Sequence, residues 1–208
     1  MLLVIDTSGP ALTTGLFDGE RVLAVETVEI GRGHAERLSA AVRARLAEAS
    51  ARPSDISRVA AVAGPGSFTG LRAGLAFARG LGLGLGVPVV GVNRLRALAC
   101  SLARPHGPVH VVLDARRGAV FEQPFTPGNE PMGEMALTPV ADFATAASAL
   151  AGSGAALVAA RAACARVVSE SDAPDAAAIA AVARIDPRPA RPVYGRGADA
   201  RVQASPLL

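Results

Sequence analysis

Residues 2–29 read LLVIDTSGPALTTGLFDGERVLAVETVE, and they carry the strongest indication of the architecture. Three mostly apolar runs, at 2–6, 12–17 and 21–29, are separated by the turn sequences Thr7-Ser8-Gly9-Pro10 and Asp18-Gly19. Short apolar runs bounded by Gly, Pro, Asp and Ser favour strands, and Asp-Gly favours a tight hairpin. The stretch therefore predicts a meander of three strands at the start of the chain.

Beyond the meander, the sequence predicts alternating helices and strands. Leu38, Val42, Leu46 and Ala49 recur at the spacing of one face of an amphipathic helix. The predicted elements are a helix at 34–49, a strand at 58–63, a helix at 68–85, a strand at 87–92, and a helix that Asn93 caps and that ends near 103. Three strands followed by this alternation form the ribonuclease-H-like layout, which is also the layout of one lobe of the actin-like ATPases.

The second half of the chain reads as a shorter and weaker copy of the first. Arg104-Pro105-His106-Gly107-Pro108 is the predicted boundary, which divides the chain into a first lobe at 1–104 and a second at 105–208 with an Arg- and Pro-rich end. Its predicted elements are strands at 109–113, 119–125, 134–138 and 155–159 and helices at 140–150 and 174–183. The predicted fold class is α/β, a two-lobed ASKHA (actin-like ATPase or ribonuclease-H-like) fold with a short second lobe.

Composition excludes several classes of protein. The chain has 208 residues, half of them hydrophobic, with no Trp and one Tyr, so an aromatic platform for nucleic-acid bases is not expected. Its net charge of +3 comes from scattered arginines rather than a basic block. Residues 1–5 are apolar but meet Asp6 at once, and the apolar stretch 73–92 contains Arg79 and Pro88. Neither a signal peptide nor a membrane span is predicted, and we expect a cytoplasmic protein.

Cysteine and histidine give no indication of a metal site. Cys100 and Cys164 lie in apolar, Ala-rich stretches and are predicted to be buried, reduced thiols. His106 and His110 have the spacing of a metal-binding pair on a helix, but Gly107-Pro108 between them would break that helix. A histidine pair within a linker is the preferred interpretation.

The sequence GPGSFTGLR at 64–72 is the most distinctive motif of the chain. It lies between a predicted strand and a predicted helix, where it can form a structural turn capped by Ser67 or a cradle for a phosphate. The following helix carries small residues at every fourth position: Gly70, Gly74, Ala78, Gly82 and Gly86. Such a stripe indicates close packing, either on the chain's own sheet or against a partner helix.

Two acids stand where the lobes of a two-lobed ATPase bind metal and phosphate. Asp6 ends the first strand, and Asp114 ends the equivalent strand of the second lobe. Arg116 occupies the place at which a phosphate hairpin would need glycine, so a complete nucleotide site is doubtful. The candidate vestigial nucleotide or phosphate residues are Asp6, Thr7, Ser8, Gly66, Ser67 and Asp114.

In order and spacing, several of these segments resemble the TsaB (YeaZ) family. The segments are 3–8, 34–38, 64–72, 88–92, 113–118 and 192–194. The resemblance implies an ASKHA-type fold without a catalytic centre, which binds the related subunit TsaD. With the ATPase TsaE, these subunits install threonylcarbamoyl on N6 of adenosine 37 in tRNA. TsaD holds its metal with a His-x-x-x-His pair, and the matching positions here are Arg94 and Leu98, which cannot hold it.

The resemblance also implies how this chain would work. It predicts a non-catalytic scaffold subunit with no cofactor of its own, ATP or ADP binding only at the joint between subunits, indirect or weak contact with tRNA, and a homodimer when alone. The expected partner-interface residues are His34, Leu38, Val42, Leu71, Gly74, Leu75 and Ala78. On this interpretation Gly74→Leu blocks association and leaves the fold intact. The alternatives are an independent ATPase or phosphotransferase, which needs a working site at Asp6 and Asp114, and a metallopeptidase, which the missing histidine pair disfavours.

Overall fold

The computed structural model describes residues 1–31, 33–102, 107–162 and 165–195. These ranges contain two β-sheets and five α-helices. The strands are β1 (Leu2–Asp6), β2 (Ala11–Asp18), β3 (Arg21–Glu29), β4 (Arg58–Gly64), β5 (Val89–Asn93), β6 (Val109–Asp114), β7 (Ala119–Phe125), β8 (Ala136–Pro139), β9 (Ala149–Ala151), β10 (Arg166–Ser169) and β11 (Arg188–Pro189). The α-helices are α1 (His34–Glu48), α2 (Phe68–Leu85), α3 (Arg94–Ser101), α4 (Ala155–Val158) and α5 (Ala176–Ile185).

The first sheet confirms the predicted meander. Its strand order is β11-β5-β4-β1-β2-β3. Strand β2 is antiparallel to β1 and β3, β1, β4 and β5 are parallel to one another, and β11 is antiparallel to β5. Side chains along β1 alternate between the faces, so Leu3 and Ile5 pack under α1 and α2, whereas Leu2 and Val4 pack against α5. Strands that are buried on both faces by helices are expected to be apolar along their whole length, as β1 is.

The second sheet has the order β10-β9-β6-β7-β8. Helix α3 joins it to the first sheet because its side chains belong to two cores. Ala97 packs with the first sheet, whereas Leu95 and Leu98 pack against β6 and β7 of the second. On its other face the second sheet is covered by the short α4. The two-lobed α/β fold class is thereby confirmed.

Two predictions in the second lobe were wrong. The predicted helix at 140–150 is a 3-10 turn, Val140–Asp142, followed by a loop and the buried strand β9. The predicted strand at 155–159 is instead helix α4. Both segments are rich in Ala, which carries little periodic signal, so packing against β6 decides their structure rather than local preference.

The end of the described chain returns to the first lobe. Ile179, Ala180, Val182 and Ala183 of α5 lie in the first core, and β11 pairs with β5. Residues 176–189 were assigned to the second lobe by the predicted division at 104, but they pack on the first sheet. Sequence alone does not reveal this return, because an Ala-rich amphipathic helix fits either sheet equally well.

Several smaller predictions can also be compared with the structure. Cys100 is half-buried against the first core, and this burial raises the pKa of its thiol. Cys164 and His106 lie outside the described residues. His110 is a buried residue of β6, with Nδ1 2.9 Å from Thr145 Oγ1 and Nε2 2.6 Å from the Glu122 carboxylate. Among the described helices, none is both long and apolar enough to cross a bilayer.

Candidate functional site: the interlobe cleft and the outer face of α2

A cleft of about 830 Å³ lies between the two lobes. One wall comes from the first lobe, at the β1–β2 turn and the start of α2, and the other comes from the second lobe, at the end of β6. The cleft residues used below are Ser8, Gly66, Ser67, Phe68, Arg72, Arg94, Asp114, Arg116, Phe121, Asp172, Tyr194 and Gly195. Four of the six candidate phosphate residues therefore line it, while Asp6 and Thr7 are buried at the β1–β2 turn.

The motif at 64–72 forms a structural turn, and Ser67 caps α2 as predicted. The Ser67 hydroxyl accepts a hydrogen bond from the Gly70 amide at 3.3 Å, and the Ser67 amide donates to the Ser8 carbonyl at 2.8 Å. One amide that a phosphate cradle would use is therefore already bonded within the chain. The motif positions α2 against the β1–β2 turn.

Asp6 and Thr7 are also bonded within this turn. The Asp6 carboxylate accepts the Ser8 amide at 2.7 Å, and the Thr7 hydroxyl donates to the Gly70 carbonyl at 2.7 Å. Both side chains are almost fully buried. The Ser8 hydroxyl, in contrast, is buried without a hydrogen-bond partner among the described residues. The first half of the candidate nucleotide site is thus mostly occupied by internal bonds.

Asp114 is paired with Arg116 in the opposite wall. The Arg116 amide donates to Asp114 Oδ1 at 2.7 Å, and its guanidinium lies 3.2 Å from Oδ2. Arg116 and Arg117 have φ angles of 62° and 55°, a left-handed conformation that favours glycine. An arginine therefore stands where a metal and phosphate would approach Asp114, and its positive charge would repel a metal ion.

Arg94 occupies the position at which the resemblance places the first metal-binding histidine. Its side chain is 5% exposed, and it donates to the Ser8 and Pro65 carbonyls at 3.4 Å and pairs with Asp172 at 3.4 Å. Leu98, at the second position, is buried in the core of the second lobe. In the described ranges, no three His, Cys, Asp or Glu residues come together in a way that could hold a metal ion.

Arg96, on the same helix, links three parts of the chain. Its guanidinium lies 2.5 Å from Glu130 of the second lobe and 3.0 Å from Asp186, which follows α5. Arg188 also pairs with Asp186, at 3.1 Å. Partial burial alone would raise the pKa of Asp186, but the hydrogen bonds and charges of Arg96 and Arg188 outweigh it and lower that pKa below its ordinary value.

The structure corrects the role predicted for the inner face of α1 and α2. The apolar residues predicted for the partner interface are buried in the chain's own core: Leu38, Val42, Leu71, Leu75 and Ala78. His34 is buried as well, with Nε2 3.3 Å from the Ala11 carbonyl oxygen. A Cβ on Gly74 would collide with the Thr7 hydroxyl. Gly70 and Gly74 of the stripe therefore pack on the β1–β2 turn, while Gly82 packs on Val89 of β5, and Gly74→Leu would disrupt the fold rather than test an interface.

The outward side of α2 carries a different set of small and apolar residues: Ala76, Gly80, Leu83 and Gly84. Leu83 is 86% exposed, and a Cβ built on Gly80 or Gly84 would meet no atom within 4 Å. Sequence reasoning missed this second glycine pair because the stripe at 70–86 already explained the glycine content. The four-residue spacing of Gly80 and Gly84 was the available signal.

Two sheets, a helix shared by both cores and a cleft between the lobes define the class of two-lobed, actin-like α/β proteins. A family model described as "TsaD: tRNA N6-adenosine threonylcarbamoyltransferase" matches residues 28–167. The solved structure of YeaZ from Pseudomonas aeruginosa superposes with a TM-score of 0.79 at 30% identity, covering 93% of this chain and 98% of that one. The chain belongs to the TsaB (YeaZ) family.

Two curated relatives extend the comparison. The tRNA threonylcarbamoyladenosine biosynthesis protein TsaB of Bacillus subtilis is 33% identical over 120 residues, which is 58% of this chain and 52% of that protein. A protein of Mycobacterium tuberculosis is 42% identical over 139 residues, which is 64% of this chain and 62% of that protein. The chain thus spans between half and two thirds of the length of these relatives.

Proposed function

We propose that this chain is an accessory subunit in the biosynthesis of threonylcarbamoyladenosine in tRNA, and that it docks a TsaD-type catalytic subunit through the outer face of α2. The names of its relatives support the pathway. The observation that carries the docking role is the pair Gly80 and Gly84, exposed around Leu83 on a long helix.

The energetic cost of these glycines supports a partner at this face. Glycine in an exposed helix interior costs about 1 kcal/mol relative to alanine. Nothing in the described chain approaches Gly80 or Gly84, so internal packing gives no reason for their small size. A partner helix would use them, because small residues allow two helix backbones to approach closely while Leu83 supplies apolar contact.

The contents of the cleft support a non-catalytic role. Arg94 is bonded to two backbone carbonyls and to Asp172, and Asp114 is paired with Arg116. A cation at each of these positions opposes the binding of a catalytic metal ion. We therefore expect the purified chain, with ATP and Mg²⁺, to release phosphate no faster than a buffer control. Magnesium-dependent turnover that Asp6→Asn and Asp114→Asn abolish would instead support an independent ATPase or phosphotransferase.

The docking role is tested by Gly80→Leu in co-purification with the TsaD-type subunit of the same organism. The added side chain keeps a helix-forming residue at an exposed position, and it should weaken the complex by about tenfold or more through steric overlap. Gly133→Leu is the matched control, because Gly133 is an exposed glycine of the second lobe with open space around it. Unchanged affinity of Gly80→Leu, in a variant at least as stable to heat as the parent chain, would contradict the docking surface.

The same face would serve a second copy of the chain in the absence of TsaD. We expect a homodimer in sedimentation experiments, and Gly80→Leu should convert it to a monomer. If Gly80→Leu remains a dimer, the surface used for self-association lies elsewhere on the chain. TsaE and tRNA belong to the same proposal as further members of the assembly, with tRNA contacted weakly or through the other subunits.

A further inference from the structure

The last described residues, 190–195, follow a path across the surface of the first lobe toward the second. Before this segment, β11 pairs with the edge of β5. Within it, the Ala190 carbonyl accepts a hydrogen bond from Arg79, and the Val193 amide donates to the Ala63 carbonyl at 2.7 Å. At its end Gly195 lies so close to the Phe121 ring of the second lobe that a Cβ there would overlap it. The segment is referred to below as the strap.

Tyr194 fixes the strap to the first turns of α2. Arg72 Nε donates to the Tyr194 hydroxyl at 2.9 Å, and its guanidinium carbon lies 3.8 Å from the centroid of the Phe68 ring. The rings of Phe68 and Tyr194 are 4.9 Å apart between centroids. Phe68, Arg72, Tyr194 and Gly195 all line the cleft, so the strap forms one side of its mouth.

The backbone of the strap has a shaped seat. Gly64 has a φ of 128°, and a Cβ on it would lie 2.6 Å from the Val193 carbonyl oxygen. Any side chain at position 64 would therefore displace the strap. The seat shows that this path is built into the fold.

The side chains of the strap, in contrast, are weakly held. Val193 is 41% exposed and Tyr194 is 39% exposed, and the contact between Tyr194 and α2 lies at the surface. Segments with few buried apolar contacts and few backbone hydrogen bonds open locally, without unfolding the rest of the protein. We propose that the strap is a releasable closure, which covers one side of the cleft when seated and opens that side when Arg72 and Tyr194 separate.

Tyr194 itself is a specific probe of this motion, because the chain contains one Tyr and no Trp. Its fluorescence therefore reports only on the strap. Arg72→Ala removes the hydrogen bond and the cation above Phe68, and it should raise the quenching constant of Tyr194 for the neutral quencher acrylamide about two-fold. Arg43→Ala, at an exposed arginine of α1, is the control and should leave quenching unchanged. Equal quenching in Arg72→Ala and the parent chain would overturn the proposal.

Hydrogen exchange tests whether the seated strap opens by itself. The Val193 amide should exchange at a rate that low concentrations of denaturant do not change, and about tenfold or more faster than the amides of β4. An amide of Val193 that exchanges only when the whole protein unfolds would mean that the segment is a fixed part of the fold. That result would also overturn the proposal.

A cysteine in the cleft tests whether the strap controls access. Ala115→Cys, combined with Cys100→Ala and Cys164→Ala, places a single thiol in the cleft lining. A bulky maleimide should modify it several-fold faster when Arg72→Ala is added. Modification at the same rate with and without Arg72→Ala would show that the cleft opens elsewhere, and the role of the strap as its closure would be refuted.

Discussion

Two glycines of α2 have different surroundings, and the difference distinguishes a residue needed for folding from one available to a partner. Gly74 lies against the Thr7 hydroxyl, whereas Gly80 faces open space. We expect Gly74→Ala to lower the free energy of unfolding by about 1–3 kcal/mol, because its methyl group overlaps a buried turn. Gly80→Ala should raise it by about 1 kcal/mol through helix propensity.

Urea denaturation of both variants measures these opposite signs. If Gly74→Ala is as stable as the parent chain, the β1–β2 turn adapts to the extra methyl group and the packing argument fails. We expect Gly80→Ala to unfold at a higher urea concentration than the parent chain but to bind the TsaD-type subunit more weakly. The glycine would then lower stability in order to allow close contact with a partner.

The sequence identified four of the residues that line the cleft, Ser8, Gly66, Ser67 and Asp114, but not their bonds. Asp6 and Asp114 end strands at matching places in two similar layouts, but only Asp114 lines the cleft, whereas Asp6 is buried at the β1–β2 turn. That Arg116 would pair with Asp114 depends on the left-handed turn at 116–118, for which the residues themselves give no signal. Arg94 was predicted as a missing ligand, whereas its bonds to two carbonyls depend on the packing of separate elements.

At the scale of elements, α5 belongs to the core of the first lobe although it follows the second in sequence. Ile179 is fully buried between α5 and the sheet. Ile179→Ala should therefore cost about 2–5 kcal/mol in urea denaturation, since it leaves a cavity beneath β1. Leu157→Ala, on the half-exposed surface of α4, should cost about 0.5 kcal/mol or less.

A small effect of Ile179→Ala would show that α5 does not support the first sheet. The sequence predicted α5 itself, within two residues at each end, from its Ala-rich composition. It did not predict where α5 packs. The elements of the first lobe were predicted well because their apolar residues follow clear strand and helix patterns. The Ala-rich segments 140–159 were not, since alanine fits a strand and a helix alike.

At the scale of the whole molecule, Arg96 connects Glu130 of the second lobe with Asp186 of the first. The pKa of Asp186 is lower in the folded chain than in the unfolded chain. The stabilisation from its ionised form is therefore complete above the unfolded-state pKa of about 3.9, and it is lost as the pH falls through the lower folded-state value.

We expect Asp186→Asn to flatten the loss of stability on acidification below about pH 4. Glu170→Gln, at an exposed carboxylate, is the control and should retain the parent profile. Thermal unfolding at a series of pH values compares the three proteins. Parallel profiles for Asp186→Asn and the parent would mean that the Arg96 network does not contribute to acid sensitivity.

Helix α3 has a mechanical consequence for this molecule. Because Ala97 belongs to one core and Leu98 to the other, a rigid-body rotation of one sheet relative to the other would have to unpack one of these side chains. Hinge closure around a bound ligand, the usual motion of two-domain enzymes, would therefore cost free energy, because buried side chains would have to separate. A fold in which one helix belongs to both cores keeps the relative orientation of its sheets, which suits the docking role proposed above.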